Sequence, residues 1–212
     1  MDRPVILTKV RTLAHVVRHT ACLRRPRPGG LVAVGDSITE GRGLPRYGLL
    51  ADNSWLSYVV RNRAIPYGYN DARSGQTTEE LVRRLPPMLD RHPAVVVVAS
   101  GTNDTSPPDT IRLIGQAVEA IGRAGAKPVL CTVAPRRERA ADVAALNAGL
   151  RQLAARHHLP LIDFHAVLAD GDDFKPGLSE DGVHPNVAAS RLMAQAAEPV
   201  LIDAFARLGH SL

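Results

Sequence analysis

Beyond residue 30, short apolar runs alternate with longer stretches whose apolar residues recur at helical spacing. The runs fall at 31–34, 65–69, 94–99, 128–133 and 159–164, and the helix-patterned stretches at 54–63, 77–91, 108–124, 139–157 and 187–208. Strands alternating with helices of this length predict βαβ units and a mostly parallel sheet. Val95, Val96, Val97 and Val98 are apolar at odd and even positions alike, as expected of a central strand covered on both faces. Pro66 cannot donate to a sheet ladder, so its strand belongs at an edge. The expected fold is a three-layer α/β/α domain. Its five parallel strands take the doubly wound, flavodoxin-like order 2-1-3-4-5.

The first 28 residues differ from the rest. They hold seven basic side chains against the single acid Asp2. The other 184 residues carry 19 basic and 20 acidic groups, so the net charge of +5 resides in the N-terminal segment. The body is close to neutral, and its charge gives no reason to expect a nucleic-acid partner. Ile6, Val10, Leu13 and Val17 recur at helical spacing, and residues 24–30 (RRPRPGG) read as a linker. The expectation is a basic helical extension over 1–28, serving as a docked helix, a homo-oligomer contact or a surface attachment, and a catalytic domain over 29–212. Lys9, Arg11, His15 and Arg18 interrupt any signal-peptide core, which points to a cytoplasmic protein with peripheral association as the variant. No apolar run is long enough to span a membrane. Cys131 sits in an apolar run and reads as a buried thiol.

Ligands of an open parallel sheet bind beyond the carboxyl ends of its strands. There the chain holds Gly35-Asp36-Ser37-Ile38-Thr39-Glu40-Gly41 after the first strand, Ser74-Gly75-Gln76 after the second and Gly101-Thr102-Asn103-Asp104 after the third. Asp181-Gly182-Val183-His184-Pro185 follows the fifth. A serine hydroxyl needs an adjacent base, and the base needs a carboxylate to fix its tautomer. Ser37, His184 and Asp181 fit these roles. An oxyanion needs preorganised donors, and the backbone amides of Ser37 and Gly75 with the side-chain amide of Asn103 are candidates. Pro185 suits the first turn of the last helix. No G-x-S-x-G elbow, nucleotide-binding loop or metal-ligand spacing occurs, so neither a metal nor another cofactor is expected.

The segments GDSITEG, Gly75 in its loop, GTND and DGVHP resemble, in order and separation, the blocks of the SGNH (GDSL-type) hydrolase superfamily. The resemblance runs from about residue 31 to the last helix. It implies a carboxylic ester hydrolase with Ser37 as nucleophile, Asp181 and His184 completing a catalytic triad, and Ser37, Gly75 and Asn103 forming the oxyanion hole. Only eight aromatic residues are present, which favours a small pocket and short-chain, acetyl-type esters. Carbohydrate O-deacetylation and acyl transfer by the same triad are the alternatives. The loop over 41–53 is expected to wall the site, with Arg42 and Arg46 available to an anionic leaving group.

Overall fold

The computed structural model describes residues 20–23, 25–43, 49–62 and 64–209. Five parallel strands form the central sheet: β2 (Leu31–Gly35), β4 (Tyr67–Asn70), β5 (Val95–Ala99), β6 (Lys127–Cys131) and β7 (Leu161–Ile162). Their spatial order is β4-β2-β5-β6-β7, the doubly wound order that the alternation of runs predicts. β4 lies at the edge, and Pro66, just before it, contributes only its carbonyl, which accepts from the Leu31 amide at 2.7 Å. Two short strands, β1 (Thr20–Leu23) and β3 (Leu49–Ala51), pair antiparallel apart from this sheet.

The core follows from strand alternation. Leu31, Ala33, Val95, Val97, Val129 and Cys131 point to one face; Val32, Val34, Val96, Val98 and Leu130 point to the other. The first face is covered by α2 (Trp55–Val59) and α7 (Val187–Ala206), with Trp55, Leu201 and Phe205 fully buried. The second is covered by α3 (Thr78–Leu89), α4 (Pro107–Arg123) and α5 (Ala140–Arg156) through Leu81, Leu85, Ile114, Ile121 and Leu150. The remaining helices are two short ones, α1 (Ser37–Glu40) and α6 (Phe164–Leu168). Cys131 is a buried free thiol whose pKa is raised by burial.

Three expectations need correction. The stretch over 54–63 is helical only at Trp55–Val59, because Asn62 turns the chain by accepting from the Ala64 amide and, through its carbonyl, from Ile65. The fifth run is a strand only at Leu161–Ile162. Asp163 then caps α6 by accepting from the Ala166 amide, and a hairpin of β8 (Ala169–Asp170) and β9 (Asp173–Phe174) follows. Pro185 does not open the last helix: Asn186 is its cap, accepting from the Ala188 and Ala189 amides, and Pro185 is bridged to Ser179 before it. Residues 20–23, counted with the extension, pair with β3 of the body. The helix expected around 6–17 lies outside the described residues, as do residues 44–48 of the 41–53 loop, Arg46 among them.

Candidate active site

The turn carrying Ser37 is held by close backbone packing. A Cβ on Gly35 would come 2.3 Å from the Ala99 carbonyl oxygen, so the ends of β2 and β5 meet only because this residue is glycine. Asp36 caps α1 by accepting from the Ile38 amide at 3.0 Å. Gly41 closes the helix with φ +63°, its Cα packed against Ser54. At the far end of α1, the Thr39 carbonyl accepts from Ser54 Oγ at 2.7 Å and Asn70 Nδ2 at 3.0 Å, while Trp55 Nε1 donates to Thr39 Oγ1. Ser37 is the first residue of the helix, so its N–H is one of the donors that the helix cannot satisfy internally.

His184 lies on a strap between the β8–β9 hairpin and α7. Ser179 Oγ donates to the His184 carbonyl at 2.9 Å and accepts from the Gly182 amide at 3.0 Å. Within this strap Asp181 Oδ1 accepts from the Val183 and His184 amides at 2.9 and 2.8 Å, and Oδ2 lies 2.7 Å from His184 Nδ1. A carboxylate only accepts, so Nδ1 carries the proton and Nε2 is left as an acceptor. Ser37 Oγ, 3.0 Å from Nε2, donates to it. Burial pushes the Asp181 pKa up, but the hydrogen bonds from the His184 amide, the His184 ring and the Val183 amide outweigh it. The carboxylate stays below its usual range. About half the Asp181 side chain is exposed, as is 43% of that of His184, so the site opens to solvent.

The loops after β4 and β5 complete the rim. The Arg73 amide donates to the Gly35 carbonyl, and the Ser74 amide and hydroxyl both donate to Glu40, on the helix that Ser37 begins. Between Arg73 and Gln76 the chain turns, with Gly75 at φ +75° in a conformation that favours glycine. Asn103 Nδ2 donates to the Gln76 carbonyl at 3.0 Å, which spends one of its two hydrogens and fixes the amide's orientation. Asp104 accepts from the Thr78 amide and hydroxyl, and Thr78 Oγ1 also meets Ser100 Oγ at 2.8 Å. Through these contacts the Ser37, Gly75 and Asn103 loops are bonded to one another.

This arrangement has the parts of a serine acyl-transfer site, and the profile of the GDSL-like lipase/acylhydrolase family matches residues 33–192. The chain belongs to that family. It is therefore a carboxylic ester hydrolase. Solved structures share the fold of this GDSL-family chain. A GDSL-like lipase from Bacteroides thetaiotaomicron is 20% identical, with 91% of this chain and 98% of that one covered at a TM-score of 0.71. TesA is 24% identical over 82% of this chain and 99% of that one, TM-score 0.68. An acetyl-xylooligosaccharide esterase variant from Geobacillus is 19% identical over 82% and 96%, TM-score 0.68. No curated protein matches the sequence at significant similarity. Among the described residues no helix is long and apolar enough to cross a membrane.

Sequence reasoning singled out Ser37, Gly75, Asn103, Asp181 and His184, and the rim of this GDSL-family fold carries all five. It missed Asp36, 2% exposed beneath Ser37. Burial raises the Asp36 pKa to about 6, against the Ile38 amide, the Thr102 hydroxyl and the charge of His184, which lower it; Asp104 adds to the rise. It also missed Thr78 and Asp104. The one available signal was the clustering of short polar residues at strand ends, which ordinary turns share.

Proposed function

We propose that the protein is a serine esterase that cleaves short-chain, acetyl-type esters through an acyl-enzyme. The reading assigns catalysis to residues 29–212 and treats 1–28 as an extension. His184 takes the Ser37 proton as Oγ attacks the ester carbonyl. Asp181 holds the imidazole tautomer and stabilises the imidazolium. The Ser37 and Gly75 amides and the free hydrogen of Asn103 Nδ2 receive the oxyanion. His184 then protonates the departing alcohol and activates the water that releases the acid. The observation that carries this reading is the unbroken chain of hydrogen bonds from Ser37 Oγ through His184 to Asp181.

The test is hydrolysis of p-nitrophenyl acetate, butyrate and octanoate by the wild type and by Ser37→Ala. Turnover should fall by about 10³-fold or more in the variant, and acetate or butyrate should be the best substrate. Equal rates in the two proteins would sink the serine mechanism; a preference for octanoate would sink the short-chain assignment. A carbohydrate O-deacetylase is the second reading, favoured by the likeness in fold to the acetyl-xylooligosaccharide esterase. Release of acetate from acetylated xylo-oligosaccharides at a higher kcat/KM than from p-nitrophenyl acetate would favour it.

A further inference from the structure

The Gly75 turn borders a second feature, an open cleft of about 450 Å³ lined by Arg73, Gly75, Gln76, Glu80, Arg83 and Arg84. The nearby carboxylates are already engaged. Glu80 accepts from the Thr77 amide, Asp71 pairs with Arg84, and Glu40 holds Ser74. Arg73 and Arg83 have no ion-pair partner among the described residues. Burial lowers the Arg84 pKa, the charge of Asp71 raises it, and the charge of Arg73 lowers it. Two guanidiniums without an ion-pair partner among the described residues therefore line a cleft that reaches the glycine of the Ser37 rim.

We propose that this cleft binds an oxyanion, a carboxylate or phosphate, carried by the ester substrate, so that anionic esters are preferred over neutral ones. Guanidinium groups suit such ligands because their planar N–H forks match carboxylate and phosphate oxygens. The proposal rests on the esterase reading above and narrows its substrate class. Gly75 belongs both to the cleft wall and to the turn beside Ser37, so a group bound there lies next to the bond being cleaved.

The test compares kcat/KM within two pairs of esters. Mono-p-nitrophenyl glutarate against p-nitrophenyl hexanoate puts a carboxylate on the acyl side. Para-acetoxyphenyl phosphate against phenyl acetate puts a phosphate on the alcohol side. In at least one pair the wild type should favour the anionic member. That preference should shrink as salt is raised, since exposed charges are screened over about 10 Å at 0.1 M. The double substitution Arg73→Gln and Arg83→Gln should lower the anionic-to-neutral ratio for that pair about tenfold. The pair that responds identifies both the anion and the side of the ester that carries it. Turnover that depends on Ser37 but gives the same ratios in wild type and double variant overturns the subsite and leaves the esterase reading standing. If Ser37→Ala hydrolyses the neutral esters as fast as the wild type, the esterase reading falls and the subsite with it.

Discussion

At the scale of single residues, Asp36 is the costly member of the site. Its pKa rises from 3.8 to about 6 on folding, chiefly because it is buried. The folded chain therefore holds the Asp36 proton more tightly than the unfolded chain. The stabilisation this gives is complete below about pH 4 and is lost as pH rises through 6. The difference is about 3 kcal/mol at roughly 1.36 kcal/mol per unit. Asp36→Asn keeps a side-chain oxygen able to cap α1 but has no proton to lose. Relative to the wild type, the variant should gain about 3 kcal/mol between pH 4 and 7, measured by urea unfolding at several pH values. Asp181 and Asp163 have lowered pKa values and give the opposite slope, so the comparison is between the two proteins rather than between two pH values. A wild type and variant with parallel pH profiles would refute the assignment.

At the scale of elements, the rim works only if its loops keep their relative positions. Thr78 stitches two of them: its hydroxyl meets both Asp104 and Ser100 at 2.8 Å, while its amide holds Asp104 separately. Thr78→Val removes the hydroxyl at nearly constant shape and leaves every group assigned to the chemistry in place. Small displacements at a reacting centre are expensive, and kcat on p-nitrophenyl acetate should fall about ten- to a hundredfold. A kcat within twofold of the wild type would mean that the loops hold without this stitch. Thr78 also shows where the sequence stops being legible. Continuous apolar runs such as 95–98 mark strands because burial on both faces demands apolar residues throughout, and they yielded the sheet order correctly. The Gly-Asp-Ser and Asp-Gly-Val-His motifs were legible because the chemistry limits which residues can serve. Nothing local distinguishes Thr78 from the neighbouring Thr77, which only caps α3. The β8–β9 hairpin and the pairing of β1 with β3 were equally hidden, since each strand is two to four residues long and too short for a period of two to register.

At the scale of the whole molecule, the fold separates what holds it together from what it does. The two core clusters lie along the faces of the sheet, between β2, β5 and β6 and the helices above and below. Ser37, Gly75 and Asn103 sit on loops that leave the carboxyl ends of β2, β4 and β5, and His184 on a strap anchored by the Asn186 cap of α7. A core change far from that rim should therefore act on stability alone. Phe205 tests this. It is fully buried near the C-terminal end of α7, in the cluster that contains Trp55 and Phe164, while His184 precedes the other end of that 20-residue helix. A helix of this length runs about 30 Å, too far for a side-chain vacancy at one end to disturb a hydrogen bond beyond the other. Phe205→Ala should lower unfolding free energy by about 3–5 kcal/mol, read from the urea midpoint at unchanged slope. For the fraction that remains folded at 25 °C, kcat on p-nitrophenyl acetate should match the wild type. If kcat falls with stability, α7 transmits core packing to His184, and the strap depends on the whole helix rather than on its capped first turn.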